Sequence, residues 1–245
     1  MTASSLRLLV LLALAAAAMA LTLSLGNWQS RRAEQKLAVE ARWDAAERAA
    51  PEYLGPSGLP SVAQLPLRVR VRGVFDHDHS VWLDNRQHEA RPGFWVVTPL
   101  LLEAGGAVLV NRGWVARDAA DRARRPPVGM PAGVVEIEGL AVTHAPRLLE
   151  LGEGGNAGPL PAIWQNLDYA HYESISGLSV ARLLVQQTSD LDDGLVRRWS
   201  RPASGVERHR GYAFQWYALS SLIALLTLIF GARAWRARAT TRSPN

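Results

Sequence analysis

Cysteine is absent from the 245 residues of this chain. Its absence excludes disulfides, thiol redox chemistry, copper or zinc sites built on thiolates, and covalent attachment of c-type haem through C-x-x-C-H. The hydrolase motifs G-x-S-x-G, H-E-x-x-H and S-x-x-K are absent as well. We therefore expect a protein that is not an enzyme, whose function depends on binding.

Charged side chains are missing from two long apolar stretches. The first, 8–25, is broken only by Thr22 and Ser24, and the second runs from Gly211 to Ala232. A helix over 211–232 would measure about 33 Å, enough to cross a hydrocarbon core of about 30 Å. We predict transmembrane helices over 8–26 and 211–232. An alternative is a cleaved leader with an A-x-A site at 18–20, although the apolar run continues to Leu25.

Lysine is nearly absent too, since Lys36 is the one lysine among 27 basic residues. The net charge of +5 and the pI of about 10.2 would suit a nucleic-acid partner. The arginines are dispersed, however, and many flank the two spans. We therefore expect membrane lipid rather than nucleic acid as a partner. Counting charges does not orient the chain, because long domains cross a membrane largely regardless of charge.

Between the spans the pattern changes from helix to sheet. The segment 27–50 lacks glycine and proline, which predicts a juxtamembrane helix that ends before the prolines of 51–60. Residues 51–206 alternate as strands do, and 233–245 form a basic tail. The predicted fold is therefore α+β: two terminal transmembrane helices around a mainly antiparallel β domain.

Individual elements of that domain also follow from the pattern. Asp168 is placed to cap a helix that ends at Gly177, and 151–159 has the composition of a linker. Strands 67–72 and 81–83 flank a polar turn at 76–79, which predicts a hairpin. The other predicted pieces are a hairpin of 94–102 with 107–110, an exposed loop at 117–131, and strands at 134–142 and 181–187.

Two groups in the middle of the chain are candidate sites. His77 and His79 could bind a divalent metal, but an ordinary polar turn is the favoured interpretation. In the segment Asn111–Trp114, Gly113 indicates a bulge or a positive-φ turn. Arg112 and Trp114 would then project from the rim of a sheet, with a packed tryptophan favoured over a direct ligand contact.

The residues at the membrane edge carry more chemistry. His209, Tyr212 and Trp216 share one helix face. Trp28 and Arg32 lie just outside the first span, so antiparallel spans would bring both groups together. An imidazole, aromatic rings and arginines suit an amphiphile with a metal centre and acidic groups, such as haem. The alternative is that these aromatic residues anchor the helices while Arg208 and Arg210 hold lipid phosphates.

Four motifs, in this order and with a span at each end, resemble the Surf (Surfeit-locus) family of cytochrome c oxidase assembly proteins. They are Leu25-Gly-x-Trp-Gln-x-x-Arg32, Gly93-Phe-Trp-Val-Val-Thr-Pro-Leu100, Val108-Leu-Val-Asn-Arg-Gly-Trp114 and His209-x-x-Tyr-Ala-x-Gln-Trp-Tyr217. The resemblance covers roughly 20–235. Gln35 departs from it, because the family often has tryptophan there.

The resemblance implies a factor that helps to insert haem a into oxidase subunit I through transient haem binding. A scaffold that contacts oxidase subunits without binding haem is the alternative. Subunit I and haem a synthase are the expected partners, in a bacterial inner membrane with both termini cytoplasmic and the central domain periplasmic. The family's candidate axial ligand of the haem iron matches His209. By position alone, Arg32, Arg208 and Arg210 would meet the propionates, and Trp28, Tyr212 and Trp216 would form an apolar wall.

Overall fold

The computed structural model describes residues 3–54, 60–103, 105–148, 159–199, 201 and 205–240. Two compact units divide the chain, one made of 1–41 with 202–245 and the other of 42–201. The elements in chain order are α1 Ala3–Arg48, β1 Glu52–Leu54, β2 Leu67–Phe75, β3 Val81–His88, β4 Arg91–Leu102, β5 Ala107–Ala116, β6 Val134–Val142, β7 Ala162–Trp164, α2 Tyr169–Ser176, β8 Val180–Gln187 and α3 Val206–Thr240.

The first unit consists of the long helices α1 and α3. Both are long and apolar enough to cross a membrane by length and composition. Only 6% and 11% of their most apolar windows are buried, so most of each surface carries no protein contact within the described residues. α1 ends at Arg48, which confirms the predicted end of the juxtamembrane helix.

The second unit is built on an eight-stranded sheet, and among the described residues five of its eight strand pairings are antiparallel. The order β2-β6-β8-β5-β4 closes into a ring because the end of β2 also pairs with β4. β3 and β7 extend the sheet beyond β4, and β1 lies parallel to β2. The predicted β-rich middle of the chain is confirmed.

Closure of the ring divides the apolar side chains into two main clusters. One draws residues from all five ring strands, including Val71, Leu100 and Ile137, and therefore fills the interior. The other includes Trp164 of β7 and Tyr172 of α2, together with Ala46 from the last turns of α1. Burying each large apolar side chain contributes about 1.5–3 kcal/mol, so these two clusters supply much of the stability of the β domain.

Local turn chemistry agrees with the sequence at α2. The Asp168 side chain accepts a hydrogen bond from the backbone N–H of His171, and Gly177 ends the helix at φ 69°. The hairpin of β4 with β5 and the strands β6 and β8 are confirmed, and no helix or strand interrupts 117–131. The predicted linker at 151–159 lies outside the described residues except for Pro159.

The predicted hairpin of 67–72 with 81–83 is wrong. β2 pairs with β6 over eight residues, whereas β3 pairs with β4. The turn at His77–His79 forms a short 3-10 helix that directs the chain away from β2 instead of folding it back. Alternation of side chains shows that a segment is a strand but does not identify its partner.

Candidate functional site

The candidate site lies where α1 and α3 pack against each other in opposite directions. The contacts run in opposite senses along the two helices: Gly26 and Asn27 contact Tyr217, whereas Gln29, further along α1, contacts His209, nearer the start of α3. The contact stripe is rich in small side chains, which allow two backbones to approach closely. Its buried members include Thr22, Gly26, Ala33, Ala213 and Ser220.

Gly26 and Tyr217 form the tightest contact in this stripe. A Cβ atom placed on Gly26 would lie 2.6 Å from Cε1 of the Tyr217 ring. The Tyr217 hydroxyl donates to Oδ1 of Asn27 at 2.8 Å, and the hydroxyl of Ser30 lies 3.2 Å from the Tyr217 hydroxyl oxygen. The ring is therefore held over the glycine at both its face and its hydroxyl, which fixes the separation of the two helices.

One turn further along α1 from Gly26, the side chain of Gln29 is bonded to the imidazole of His209. The Nδ1 and Oε1 atoms are 2.7 Å apart. An amide oxygen only accepts hydrogen bonds, so Nδ1 is the donor, and in the neutral tautomer that donates from Nδ1 the lone pair is on Nε2. Gln29 is only 9% exposed, whereas His209 is half-buried. The site therefore presents one nitrogen with the electronic form that a metal ligand requires.

The structure brings some of the predicted side chains to the same part of the helix pair. Trp216 and Ala213 follow His209 on one face of α3, and Trp216 is half-buried. Tyr212 and Trp28 are 46% and 52% exposed, so both offer open aromatic surface. Arg208 is exposed next to His209, and Arg32 lies one turn beyond Gln29.

Gln35, where the chain departs from the family pattern, accepts a hydrogen bond from Nη1 of Arg32 at 3.1 Å. This contact is made on the exposed surface of α1. A polar side chain at this position therefore holds the Arg32 guanidinium where tryptophan could offer no acceptor.

Arg210 lies apart from the other candidates. It forms an ion pair with Glu207 at 3.1 Å and lines a groove of about 400 Å³ between the helices. On α3 the residues that line the groove are 210, 213, 214 and 217, whereas His209 shares a face with 213 and 216. Ala213 belongs to both sets, and Arg210 and His209 lie on different sides of it. The rest of the groove lining is Ser30, Ala33, Glu34, Leu37, Ala213, Phe214 and Tyr217.

The histidine pair of the β domain forms a structural turn. Nδ1 of His79 donates to Oδ2 of Asp76 at 2.7 Å, and His77 Nε2 lies 3.0 Å from the carbonyl oxygen of Pro131. Within the ranges given above, no group of three or more His, Asp or Glu side chains is arranged to hold a metal ion. The favoured interpretation of this turn is supported.

The bulge predicted at Gly113 is confirmed. The β4–β5 register shifts between Val96 and Val97, opposite Gly113, whose φ is 150°. The predicted projection of Arg112 and Trp114 from a rim is wrong, since they are only 1% and 4% exposed. The Trp114 indole donates to the backbone oxygen of Arg86 at 2.8 Å, which makes it a packed tryptophan.

Arg112 belongs to a buried charge cluster that sequence reasoning missed. Its Nη2 donates to Oδ2 of Asp193 at 2.8 Å and to the Gly129 oxygen at 2.5 Å. Arg197 bonds the other oxygen of Asp193 at 2.5 Å. Burial lowers the pKa of Arg112, while Asp193 opposes that shift. The cluster ties three separate segments together, and nothing in it is open to a ligand.

Arg86 is a second buried cation with a structural role. Its guanidinium donates to the oxygens of Pro146 and Gln165 and lies 4.9 Å from the centre of the Trp95 ring. Burial lowers the pKa of Arg86 to about 10, so it remains charged at neutral pH. Its partners are internal, so Arg86 has a structural role in the β domain.

Two apolar helices at the ends of the chain, around a domain built mostly of sheet, define a class that is compatible with a membrane protein. Comparison with known proteins is more specific. The model of the SURF1 family matches residues 16–221, and the chain belongs to that family. This makes it an assembly factor for cytochrome c oxidase, from a family not known for catalysts.

Two vertebrate relatives are similar over most of the chain, and a third over less than half of it. Surfeit locus protein 1 of Xenopus tropicalis is 26% identical over 220 residues, which cover 83% of this chain and 70% of that protein. The human Surfeit locus protein 1 is 28% identical over 223 residues, 82% of this chain and 71% of the relative. A SURF1-like protein of Drosophila melanogaster is 32% identical over 131 residues, 46% and 43% of the two chains.

Proposed function

We propose that this assembly factor holds haem a transiently at a membrane surface and assists its insertion into subunit I of the oxidase. The observation that carries the proposal is the hydrogen bond from His209 to Gln29, which leaves Nε2 with a lone pair. We further propose that α1 and α3 span a bacterial inner membrane, with both termini cytoplasmic and the central domain periplasmic. Haem a synthase is the proposed donor of the haem.

The residues around His209 fit such a group. A haem bound there supplies an iron that takes an axial imidazole and two propionates that take cations. His209 presents its lone pair on a half-buried ring, and Tyr212 and Trp28 offer exposed aromatic faces. Arg208 is exposed beside His209, where it can pair with a carboxylate.

The same arrangement suits release as well as binding. His209 would be one protein ligand on a partly open surface, so it would hold the group less completely than an enclosed pocket does. Arg208 lies in solvent, where an ion pair contributes about 0–1 kcal/mol. These groups orient the cargo without enclosing it. A carrier rather than a permanent haem protein is the expected result.

Replacing His209 by alanine is expected to lower haem occupancy at least about tenfold, because the axial nitrogen is lost. The full chain is co-expressed with haem a synthesis, purified in detergent, and its haem is extracted, identified and counted. The control is His144→Ala, since His144 is an exposed histidine of the β domain. Equal occupancy in the two variants would show that His209 is not the ligand.

The groove beside Phe214 favours a second candidate function, a scaffold that binds oxidase subunits without haem. Its floor is made by Ala33, Ala213 and Leu37, and Phe214 is 73% exposed, so the groove could take an apolar side chain of a partner. This function requires haem-free wild-type protein and co-purification with subunit I that survives His209→Ala.

The proposed topology is tested separately with introduced cysteines, since the chain has none of its own. Ser174 is exposed on α2, and Trp235 is 74% exposed near the end of α3. A membrane-impermeant maleimide added to spheroplasts is expected to label Ser174→Cys and to leave Trp235→Cys unlabelled until the membrane is broken. Labelling of Trp235→Cys alone in intact spheroplasts would reverse the proposed orientation.

A further inference from the structure

We infer that Gln29 is a positioning residue that keeps His209 in the form able to bind a metal. This inference rests on the proposed function for the role of His209, but it makes its own claim about the protein without haem. The claim is that one amide oxygen on α1 selects the tautomer of an imidazole on α3. The acceptor and the donor are 180 residues apart in sequence.

The chemistry of the ring makes this selection consequential. A neutral imidazole carries one proton, and the nitrogen that holds it has no lone pair for a metal. Free histidine favours the proton on Nε2, which would block that nitrogen. In the structure the Gln29 oxygen lies 2.7 Å from Nδ1, so the proton is drawn to Nδ1 and the lone pair stays on Nε2. The two nitrogens lie on opposite edges of the ring, which directs this lone pair away from Gln29.

The position of Gln29 is fixed by its surroundings on α1. It is 9% exposed and lies between two small buried residues on the same face, Gly26 and Ala33. Close approach at Gly26, where the Tyr217 ring rests, lets a side chain as short as glutamine reach across to α3. Buried hydrogen bonds of this kind are expected to be retained, because an unpaired amide in an apolar contact is costly.

A bond from the non-ligating nitrogen to a fixed acceptor is a recurring feature of metal-binding histidines. Such a partner orients the ring and raises the basicity of the other nitrogen, and its loss typically costs about 10–100-fold in affinity. Gln29 meets this description, because its side-chain oxygen bonds the imidazole of His209. Its effect on the cargo would pass entirely through His209.

The experiment compares three variants of the full chain in detergent micelles. Gln29→Leu keeps the size of the side chain and removes the acceptor, while Gln29→Glu keeps an acceptor. Gln215→Leu is the matched control, because Gln215 is an exposed glutamine of α3. The His209 tautomer is assigned from the 15N chemical shifts of histidine-labelled protein without haem, and the His209 signals are identified by their loss in His209→Ala. Affinity is measured by titration with haem a.

Gln29→Leu is expected to move His209 toward the Nε2–H tautomer and to weaken haem a binding about 10–100-fold. Gln29→Glu and Gln215→Leu are expected to keep the wild-type tautomer and to stay within about threefold of its affinity. An unchanged tautomer in Gln29→Leu would overturn the inference, and so would a changed tautomer with unchanged affinity. If wild-type protein takes up no haem a, the proposed function fails, and a tautomer change in Gln29→Leu would still support the hold of Gln29 on His209.

Discussion

Asp193→Ala is expected to lower the free energy of unfolding by about 3–5 kcal/mol, because it leaves the buried Arg112 without its counter-charge. The side chains of Arg112 and Arg197 are 1% and 8% exposed, and both bond to Asp193. Arg112 is the more deeply buried of the two, whereas Arg197 keeps a second carboxylate partner in Asp190. The loss is measured from denaturant unfolding of the full chain in detergent, followed by tryptophan fluorescence.

A neighbouring carboxylate provides the control for this prediction. Asp190 also pairs with Arg197, but its side chain is 87% exposed, so Asp190→Ala is expected to cost no more than about 1 kcal/mol. If Asp193→Ala and Asp190→Ala unfold at the same denaturant concentration, burial of the charge cluster does not account for the contribution of Asp193 to stability. A triple replacement of the cluster by apolar residues of similar volume should recover much of the lost stability.

The contrast between the predicted and observed sheets shows how far local patterns extend. β6 and α2 follow from alternation, an N-cap and a glycine, which all act within a few residues. The partner of β2 is β6, about 65 residues away in sequence, and the pairing depends on how the whole ring closes. Any strand with one apolar face could pair with the alternating side chains of β2. The alternation therefore could not exclude a hairpin of β2 with β3.

The same limit explains what was missed at the sites. The position of Asp193 beside Arg112 joins residues 81 apart, and nothing near either one indicates an ion pair. The role of Gln29 is easier to predict from the sequence, because Gln29 lies in a recognised motif beside Trp28 and antiparallel spans place it near His209. Helical periodicity predicts which residues share a face. Which side chains of α1 and α3 can touch depends on the distance between the two helices at Gly26.

Gly26→Leu is expected to separate the two helices and to lower haem a occupancy at least about tenfold, because the Gln29–His209 bond cannot span a wider gap. Even a Cβ atom at this position lies 2.6 Å from the Tyr217 ring, well inside the normal carbon contact of about 3.5–4.0 Å. The ring cannot turn aside without losing the bonds of its hydroxyl to Asn27 and Ser30. Relief must therefore come from movement of α1 away from α3.

Gly211→Leu is the matched control, since a Cβ atom on Gly211 meets nothing within 4 Å. Both changes raise helix propensity equally, so any difference between them comes from the contact with Tyr217. Spin labels on cysteines at Leu14 and Leu228, which are 61% and 71% exposed, report the separation in bilayers. A longer and broader distance distribution is expected for Gly26→Leu alone, with partial return when Tyr217→Ala is added. Superimposed distributions for the two glycine variants would mean that this contact does not hold the helices together.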